Sequence, residues 1–324
     1  MAVLVIAAGP AAASGGGSWA SGSPLPTARY LLASVTKGTM TYSLGGCSIG
    51  GCASADTILD TNEAYNASTD TWTTKAPMPT ARAATGAALG RNGLIYVEGG
   101  TVAPCCTPLS TNEAYNPTRN SWTERAPMPT ARYGAAVVDG FDGRVYVFGG
   151  YTNSVGETTV EAYSPGTNTW TCSVGDTSSG CASTSLAPIP ELSYGGAAVR
   201  SGKMIYLLIG NNGSAKVGDI YAYDTSTNTW TQKATMPAAR DYVGMAIGKT
   251  HLIYAIGGAV SQQVQSSANE AYNPAKNSWT EETPLPNAVV GPGAALTSTG
   301  ATQVAGGGTD SNDDGTNFNQ LFTP

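Results

Sequence analysis

Histidine is nearly missing from this chain: His251 is the only one in 324 residues, and there are just four phenylalanines and 16 lysines plus arginines. A single imidazole, set in a hairpin turn at Lys249–His251, gives little support to Ser-His-Asp or Cys-His catalysis. Charged residues make up 12% of the chain and the net charge is −6, so no basic patch is available for nucleic acid. No apolar run reaches the roughly eighteen residues that a spanning helix needs, so a soluble chain with no membrane span is expected. Gly, Ser, Thr and Asn are abundant instead, together with six cysteines in three close pairs.

Those pairs are Cys47 with Cys52, Cys105 with Cys106, and Cys172 with Cys181. Even, paired usage in a Ser- and Thr-rich chain favours disulfides and an oxidising compartment. Spacing does not fix the connectivity. Six free thiols are the alternative, and Cys105 or Cys106 could also bridge to the loop of Cys47 and Cys52. Zinc would need better tetrahedral spacing and more than one histidine. Residues 1–14 read as the later part of a secretory signal, with an apolar core and an Ala-x-Ala site before Ser14, or else as an apolar linker. Together these features point to a secreted or cell-surface protein.

One unit organises the rest. From Arg82 it runs through a small-residue stretch, the turn Arg91-Asn92-Gly93, the run Leu94 to Glu98 and the pair Gly99-Gly100. A variable loop, Asn112-Glu113-Ala114-Tyr115, a second turn, Trp122 and Ala126-Pro127-Met128-Pro129 complete it. Short alternating apolar runs cut by Gly, Asn and Pro predict four β-strands per unit. Trp72, Trp122, Trp170, Trp230 and Trp279 recur at intervals of 50, 48, 60 and 49 residues, each seven after a tyrosine. Six second-strand ends carry Gly-Gly, or Gly210-Asn211 in the fourth unit.

A period near fifty residues with a double glycine and a spaced Tyr and Trp resembles the kelch repeat, whose units are four-stranded blades of a β-propeller. The likeness extends to the galactose oxidase and kelch-like superfamily, and to its secreted bacterial type. It implies an all-β fold: a six-bladed kelch β-propeller with four antiparallel strands per blade, occupying 15–324 as a single domain. Length alone would suggest about two domains, but a repeat that closes into a ring makes one the better count. Trp19 lies as far from Pro26 as Trp122 from Pro129, so the segment around it is a fourth strand lacking its first three. Those stand at the other end, at Gly293–Thr297, Thr302–Ala305 and Asn319–Phe322. The N-terminal strand is therefore expected to join the three C-terminal strands and close the ring, and the protein to be a monomer.

Strand polarity sorts the loops. First-to-second and third-to-fourth turns share one face and are short; second-to-third and fourth-to-first loops share the other and vary. The variable face is expected to carry all six cysteines, the insertion Cys172–Ser185 and the binding function. Tyr30, Tyr133, Tyr194 and Tyr242, with Asp241, sit near the first-strand entries and suggest a sugar-sized cup. Arg29, Arg82, Arg132 and Arg240 recur at one position there. In kelch adaptor propellers similarly placed arginines line a pocket for acidic peptides, which makes Arg132 and Arg240 ligand candidates. Glu63, Glu113, Glu161 and Glu270 recur in the same four blades, so structural Arg–Glu pairs are the economical alternative.

Two carboxylates, Glu98 and Asp241, are the catalytic candidates, Glu98 because its equivalents in the other units are all apolar. Asp310, Asn312 and Asp314 reproduce the opening of a calcium loop, although Leu321 stands where an EF-hand has its bidentate Glu. Calcium is the one ion suggested; no cofactor is required. Galactose oxidase, a kelch relative, needs two histidines for its copper, which this chain does not have. The expected function is a non-catalytic module binding a glycan or a protein; the alternative is a carbohydrate-active isomerase or lyase resembling the sialic-acid mutarotases.

Overall fold

The computed structural model describes residues 15–48, 52, 54–102, 106–152, 156–261, 264–309 and 314–324; the leader expected over 1–14 lies outside them. Six four-stranded antiparallel sheets form the blades, with a fifth strand added to blade 3. Blade 2 is representative: Gly86–Leu89, Ile95–Glu98, Asn112–Asn116 and Ser121–Glu124, ordered from the inside outward. Its second strand is buried throughout because neighbouring blades press on both of its faces, so it reads as a continuous apolar run rather than an alternation. The outer strand alternates, with Trp122 half-buried between exposed Ser121 and Thr123. Innermost strands are rich in Gly and Ala because they crowd round the axis: a Cβ on Gly86 would sit 2.3 Å from Val137 of blade 3.

Tyrosine and tryptophan fill the wedges between blades. Tyr115 packs on Trp122 with ring centroids 5.0 Å apart, and both join Tyr42, Leu44, Ile95 and Val97 between blades 1 and 2. Each tryptophan also ties its blade to the preceding one. The Trp122 indole donates to Ala76 O at 2.8 Å, Trp170 to Ala126 O, Trp230 to Ala187 O and Trp279 to Ala234 O. The Asn120 side-chain oxygen accepts from Tyr115 of its own blade at 2.7 Å and from the Ala76 amide of the blade before at 2.8 Å. Asn168, Asn228 and Asn277 repeat this bridge, and Asp70 does so with Ser23. All five adopt positive φ, which Asn and Asp tolerate in tight turns. At the double glycine, Gly99 has φ 60°, and a Cβ there would meet Arg132 O at 2.5 Å; the adjacent Gly100 amide donates to that same carbonyl.

A second ring of bonds surrounds the axis. The residues entering the innermost strands, Leu31, Ala84, Gly134, Gly195, Tyr242 and Gly291, all have φ between 49° and 61°. Each donates its amide to the carbonyl of the one in the preceding blade, and Leu31 donates to Gly291, closing a cycle of six hydrogen bonds of 2.7–2.9 Å.

Ring closure follows the split-blade expectation. Ser18–Ser21 pairs antiparallel with Asn319–Thr323, with Trp19 opposite Phe322 and their rings 5.0 Å apart. Trp19 donates to Thr283 O of blade 5 at 2.8 Å, as the other tryptophans do to their neighbours. The insertion departs from expectation. Cys181–Leu186 runs parallel to Thr169–Ser173 as a fifth, outermost strand of blade 3, so this segment folds back along the blade edge instead of over the variable face. Leu186 and Ile189 seat it in the wedge between blades 3 and 4.

Deleting residues 15–22 removes Trp19 and the outer strand of blade 6, exposing an unpaired edge. The expected result is a lower melting temperature together with self-association in sedimentation; a truncated chain that melts like the full one and stays monomeric would rule out the split blade.

Candidate functional site

The residue preceding each member of the axial ring forms an isolated bridge with a second-to-third loop: Tyr30 with Cys47, Ala83 with Thr101, Tyr133 with Tyr151, Tyr194 with Asn211, Asp241 with Ala259 and Val290 with Gly308. Positive φ at the ring turns the chain sharply there. Of these bridged residues Tyr30, Tyr133, Tyr194, Asp241 and Val290, with Thr101, Asn211 and Ala259 of the loops, become the wall of a cup of about 370 Å³ on the variable face, floored by Leu31, Ala84 and Tyr242. All four tyrosines singled out in the sequence line it, and so does Asp241. Tyr151, between Tyr133 and Tyr194, has ring centroids 5.6 and 5.3 Å from theirs.

Two hairpins add polar groups. In blade 4 the long strands Met204–Asn211 and Lys216–Asp224 are joined by a tight turn, which brings Lys216 across to an ion pair with Asp241 of blade 5. In blade 5, Ala259–Ser261 and Val264–Gln265 place Ser261 and Gln265 in the wall, with Val260 and Val264 exposed outside. Burial, then Asp241 and Tyr151, raises the Tyr194 phenol; burial, then Asp241, holds Tyr242 far above the ordinary phenol range. Both hydroxyls thus remain protonated near neutral pH and can donate as well as accept. Aromatic faces, hydroxyls, amides and one ion pair are the groups that grip a polyhydroxylated ring.

Two cysteines support the wall. Cys47 and Cys52 are disulfide-bonded with Cα atoms 5.6 Å apart. Cys47 exchanges both backbone bonds with Tyr30, at 2.9 and 2.8 Å, and Cys52 Sγ lies 3.6 Å from the Tyr30 hydroxyl. Cys106 also reaches the cup, whereas Cys105 lies outside the described residues. The Cys172–Cys181 disulfide, Cα atoms 5.8 Å apart, is at the outer edge of blade 3 and not at the cup, because the insertion pairs backward along its own blade. Cys172, Asp176 and Cys181 are the one grouping of metal-type ligands among the described residues, and the disulfide takes both sulfurs out of consideration.

Other sequence candidates fall elsewhere. Arg132 and Arg240 are fully buried and ion-paired with Glu161 and Glu270, and neither lines the cup; Arg29–Glu63 and Arg82–Glu113 complete the set. Each guanidinium bonds its carboxylate and carbonyls of its own blade, as Arg240 does those of Ala255 and Gly257. Glu98 is 2% exposed and away from the cup, with no hydrogen-bond partner for either oxygen among the described residues. A residue this enclosed does not reach a cup-bound substrate. His251 is exposed on the opposite face. Of the suggested calcium ligands, Asp310 and Asn312 lie outside the described residues, leaving Asp314 alone within them.

Sequence reasoning missed the polar lining residues Thr101, Asn211, Lys216, Ser261 and Gln265. Only Lys216 had a readable signal, in the Asn211-Asn212-Gly213-Ser214 turn that shortens the fourth unit's loop into a hairpin.

The chain belongs to the kelch-repeat family. Residues 113–303 match the KLHDC2/KLHL20/DRC7 Kelch-repeats domain, and residues 49–79 and 85–129 match the Kelch motif. Among solved structures, that of YjhT is similar at TM-score 0.73 and 15% identity, covering 92% of this chain and 95% of that one. A fungal alcohol oxidase of the AA5 family, solved in complex with copper, is similar at TM-score 0.66 and 16% identity, over 95% of this chain and 76% of that one. At these identities the likeness is one of fold. Curated protein sequences yield no match.

Replacing Cys47 and Cys52 with Ser is expected to speed amide exchange at 29–31 and 46–48 while the melting curve shifts little; replacing Cys172 and Cys181 should cost about 2–3 kcal/mol, for a loop of ten or so residues, and leave exchange at Tyr30 unchanged. Hydrogen-exchange mass spectrometry separates the two. Glu98 gives a pH test. Burial raises its carboxyl well above the ordinary 4.5, outweighing the attraction of Arg82. The folded state therefore holds a proton that the unfolded chain releases above that value, and stability falls as pH climbs from there toward the raised pKa. Glu98→Gln should melt like the parent near pH 4 and increasingly above it toward pH 7 (up to about 1.4 kcal/mol per pH unit). Parallel melting curves at every pH would show that Glu98 is not held neutral.

Proposed function

We propose that this protein is a secreted binding module that takes a glycan in the cup on its variable face. A kelch propeller is an interaction scaffold, and the two disulfides among the described residues are consistent with an extracellular protein. One observation carries the reading: four tyrosines and the Lys216–Asp241 pair converge on a single cavity of sugar size at the axis. Aromatic faces take the apolar side of a sugar ring, while the hydroxyls, amides and ion pair meet its hydroxyl groups. Among binding functions a protein ligand is the alternative occupant of the same face.

A second reading rests on the same pair. Asp241 and Lys216 beside protonated Tyr194 and Tyr242 are an acid–base set, which suits a carbohydrate-active isomerase or lyase of the sialic-acid mutarotase kind. The likeness of fold to YjhT lends it support as analogy. Copper oxidation as in the AA5 alcohol oxidase finds no footing in these residues, since the one histidine is on the other face.

A glycan array followed by calorimetric titration tests the first reading. Tyr194→Ala or Lys216→Ala should weaken binding about tenfold or more, equivalent to about 1.4 kcal/mol. Blank arrays count against it, and turnover of a sugar panel that disappears with Asp241→Ala would favour the second.

A further inference from the structure

Positive charge is kept away from the cup. Of the 16 lysines and arginines, Lys216 alone is in the lining, and Asp241 is the one carboxylate there among the described residues. The segments outside the described residues contain no lysine, arginine or histidine. Arg29, Arg82, Arg132 and Arg240, the nearest recurrent cations by position in the repeat, are each buried against a glutamate. The remaining hydrogen-bonding side chains of the wall are neutral: the four tyrosines, Thr101, Asn211, Ser261 and Gln265.

Lys216 and Asp241 neutralise one another across the boundary between blades 4 and 5. Their side chains are 17% and 6% exposed, so the pair is largely out of water, where its attraction is little screened. Each partner is also fixed by its own blade. Asp241 exchanges both backbone bonds with Ala259, at 3.2 and 2.9 Å. Lys216 stands opposite Asn211 in the blade 4 hairpin, whose turn is tied by Asn212 Oδ1 accepting from the Ser214 and Ala215 amides at 3.1 and 3.0 Å. A ligand carboxylate entering the cup therefore meets a cation that is already paired, and it lies beside the negative Asp241. Taking an anion out of water without a cation to receive it is costly. A hydroxyl group meets no such penalty, because it can donate to Asp241 or accept from Lys216 while the pair stays intact.

We propose, resting on the glycan reading above, that Asp241 sets the specificity of the cup: by neutralising Lys216 it selects sugars without a charged group and rejects uronic and sialic acids. Tyr194 and Tyr242, protonated near neutral pH, keep the surroundings uncharged and offer their faces to the apolar side of a sugar ring. The determinant is divided between two repeats, blade 4 supplying the cation and blade 5 the anion. Loss of the anion alone leaves Lys216 available to a carboxylate, so a single change converts a neutral-sugar site into an acidic-sugar site. An isomerase working in this cup would likewise act on an uncharged sugar.

Calorimetric titration of the full chain with matched sugar pairs tests the proposal. The probes are the methyl glycosides of glucose, galactose and mannose, each set against that of its uronic acid, which differs only in a carboxylate for the hydroxymethyl group. The parent should bind the neutral member of a pair about tenfold or more tightly than the acid. Asp241→Asn, close to isosteric, should reverse the order, with the uronate gaining about tenfold and the gain fading as NaCl is raised. The double change Lys216→Gln with Asp241→Asn should return the preference to the neutral member, because the cup is again without net charge. Melting curves confirm that both variants fold. A parent that prefers the uronate, array hits confined to acidic glycans, or an Asp241→Asn variant that keeps the parent's order overturns the proposal and leaves glycan binding standing. Silence from every pair together with a blank array removes the glycan reading itself, and the proposal with it.

Discussion

The closed cycle of six backbone hydrogen bonds at the axis is the constraint on which the rest of the propeller depends. Every member has to adopt positive φ so that its amide points at the preceding blade and its carbonyl at the next. Glycine does this freely, but Leu31, Ala84 and Tyr242 do not, and an L-residue in that region costs about 1–2 kcal/mol. The strain persists because the blades on either side over-determine the geometry through the tryptophan and asparagine links further out. A ring of this kind has no weakest end. Each blade is held on both flanks, and the terminal strand of blade 6 makes the cycle complete.

The same turn builds the cup. Because the chain reverses at the ring, the residue before each member is carried up to the variable face and bridged to a loop, and five of the six, all but Ala83, line the cup. Four buried Arg–Glu pairs stand just behind, at the feet of the second-to-third loops. Such pairs contribute modest net stability when intact and are costly to break singly, so they act chiefly to fix where each first strand begins. The wall is thus rigid at its base, and its chemistry is set by loop residues that the ring does not constrain. Tyr30 is additionally tied down by the Cys47–Cys52 disulfide.

Repeats that differ from the rest are where new chemistry enters. Blade 4 trades a long loop for a tight hairpin and thereby delivers Lys216 to a neighbour's Asp241. Blade 3 adds a fifth strand that shields its outer edge. Blade 6 has Val289 and Gln320 where four other blades have the Arg–Glu pair, and both Gln320 amide atoms are buried without a partner among the described residues. In each case the change is tolerated because a blade contacts only its two neighbours, and a local departure does not propagate round the ring.

The sequence by itself determined the blade count, the order of the four strands, the split blade with Trp19 opposite Phe322, and the face on which Tyr30, Tyr133, Tyr194, Tyr242 and Asp241 meet. These are consequences of period and polarity, and both are carried by single residues at fixed spacing. Pairing of the four arginines with the four glutamates was legible as one of two readings, since the residues are present and absent together. Tertiary structure alone decided the rest. It placed Cys172 and Cys181 at the blade edge because strand 181–186 pairs parallel, which no local pattern records. It enclosed Glu98 between blades and brought Lys216 to Asp241, 25 positions away, across a blade boundary. The positive-φ ring was invisible because three of its six members are not glycine. Contacts between blades depend on the angle at which one repeat meets the next, and that angle is set by closing all six at once.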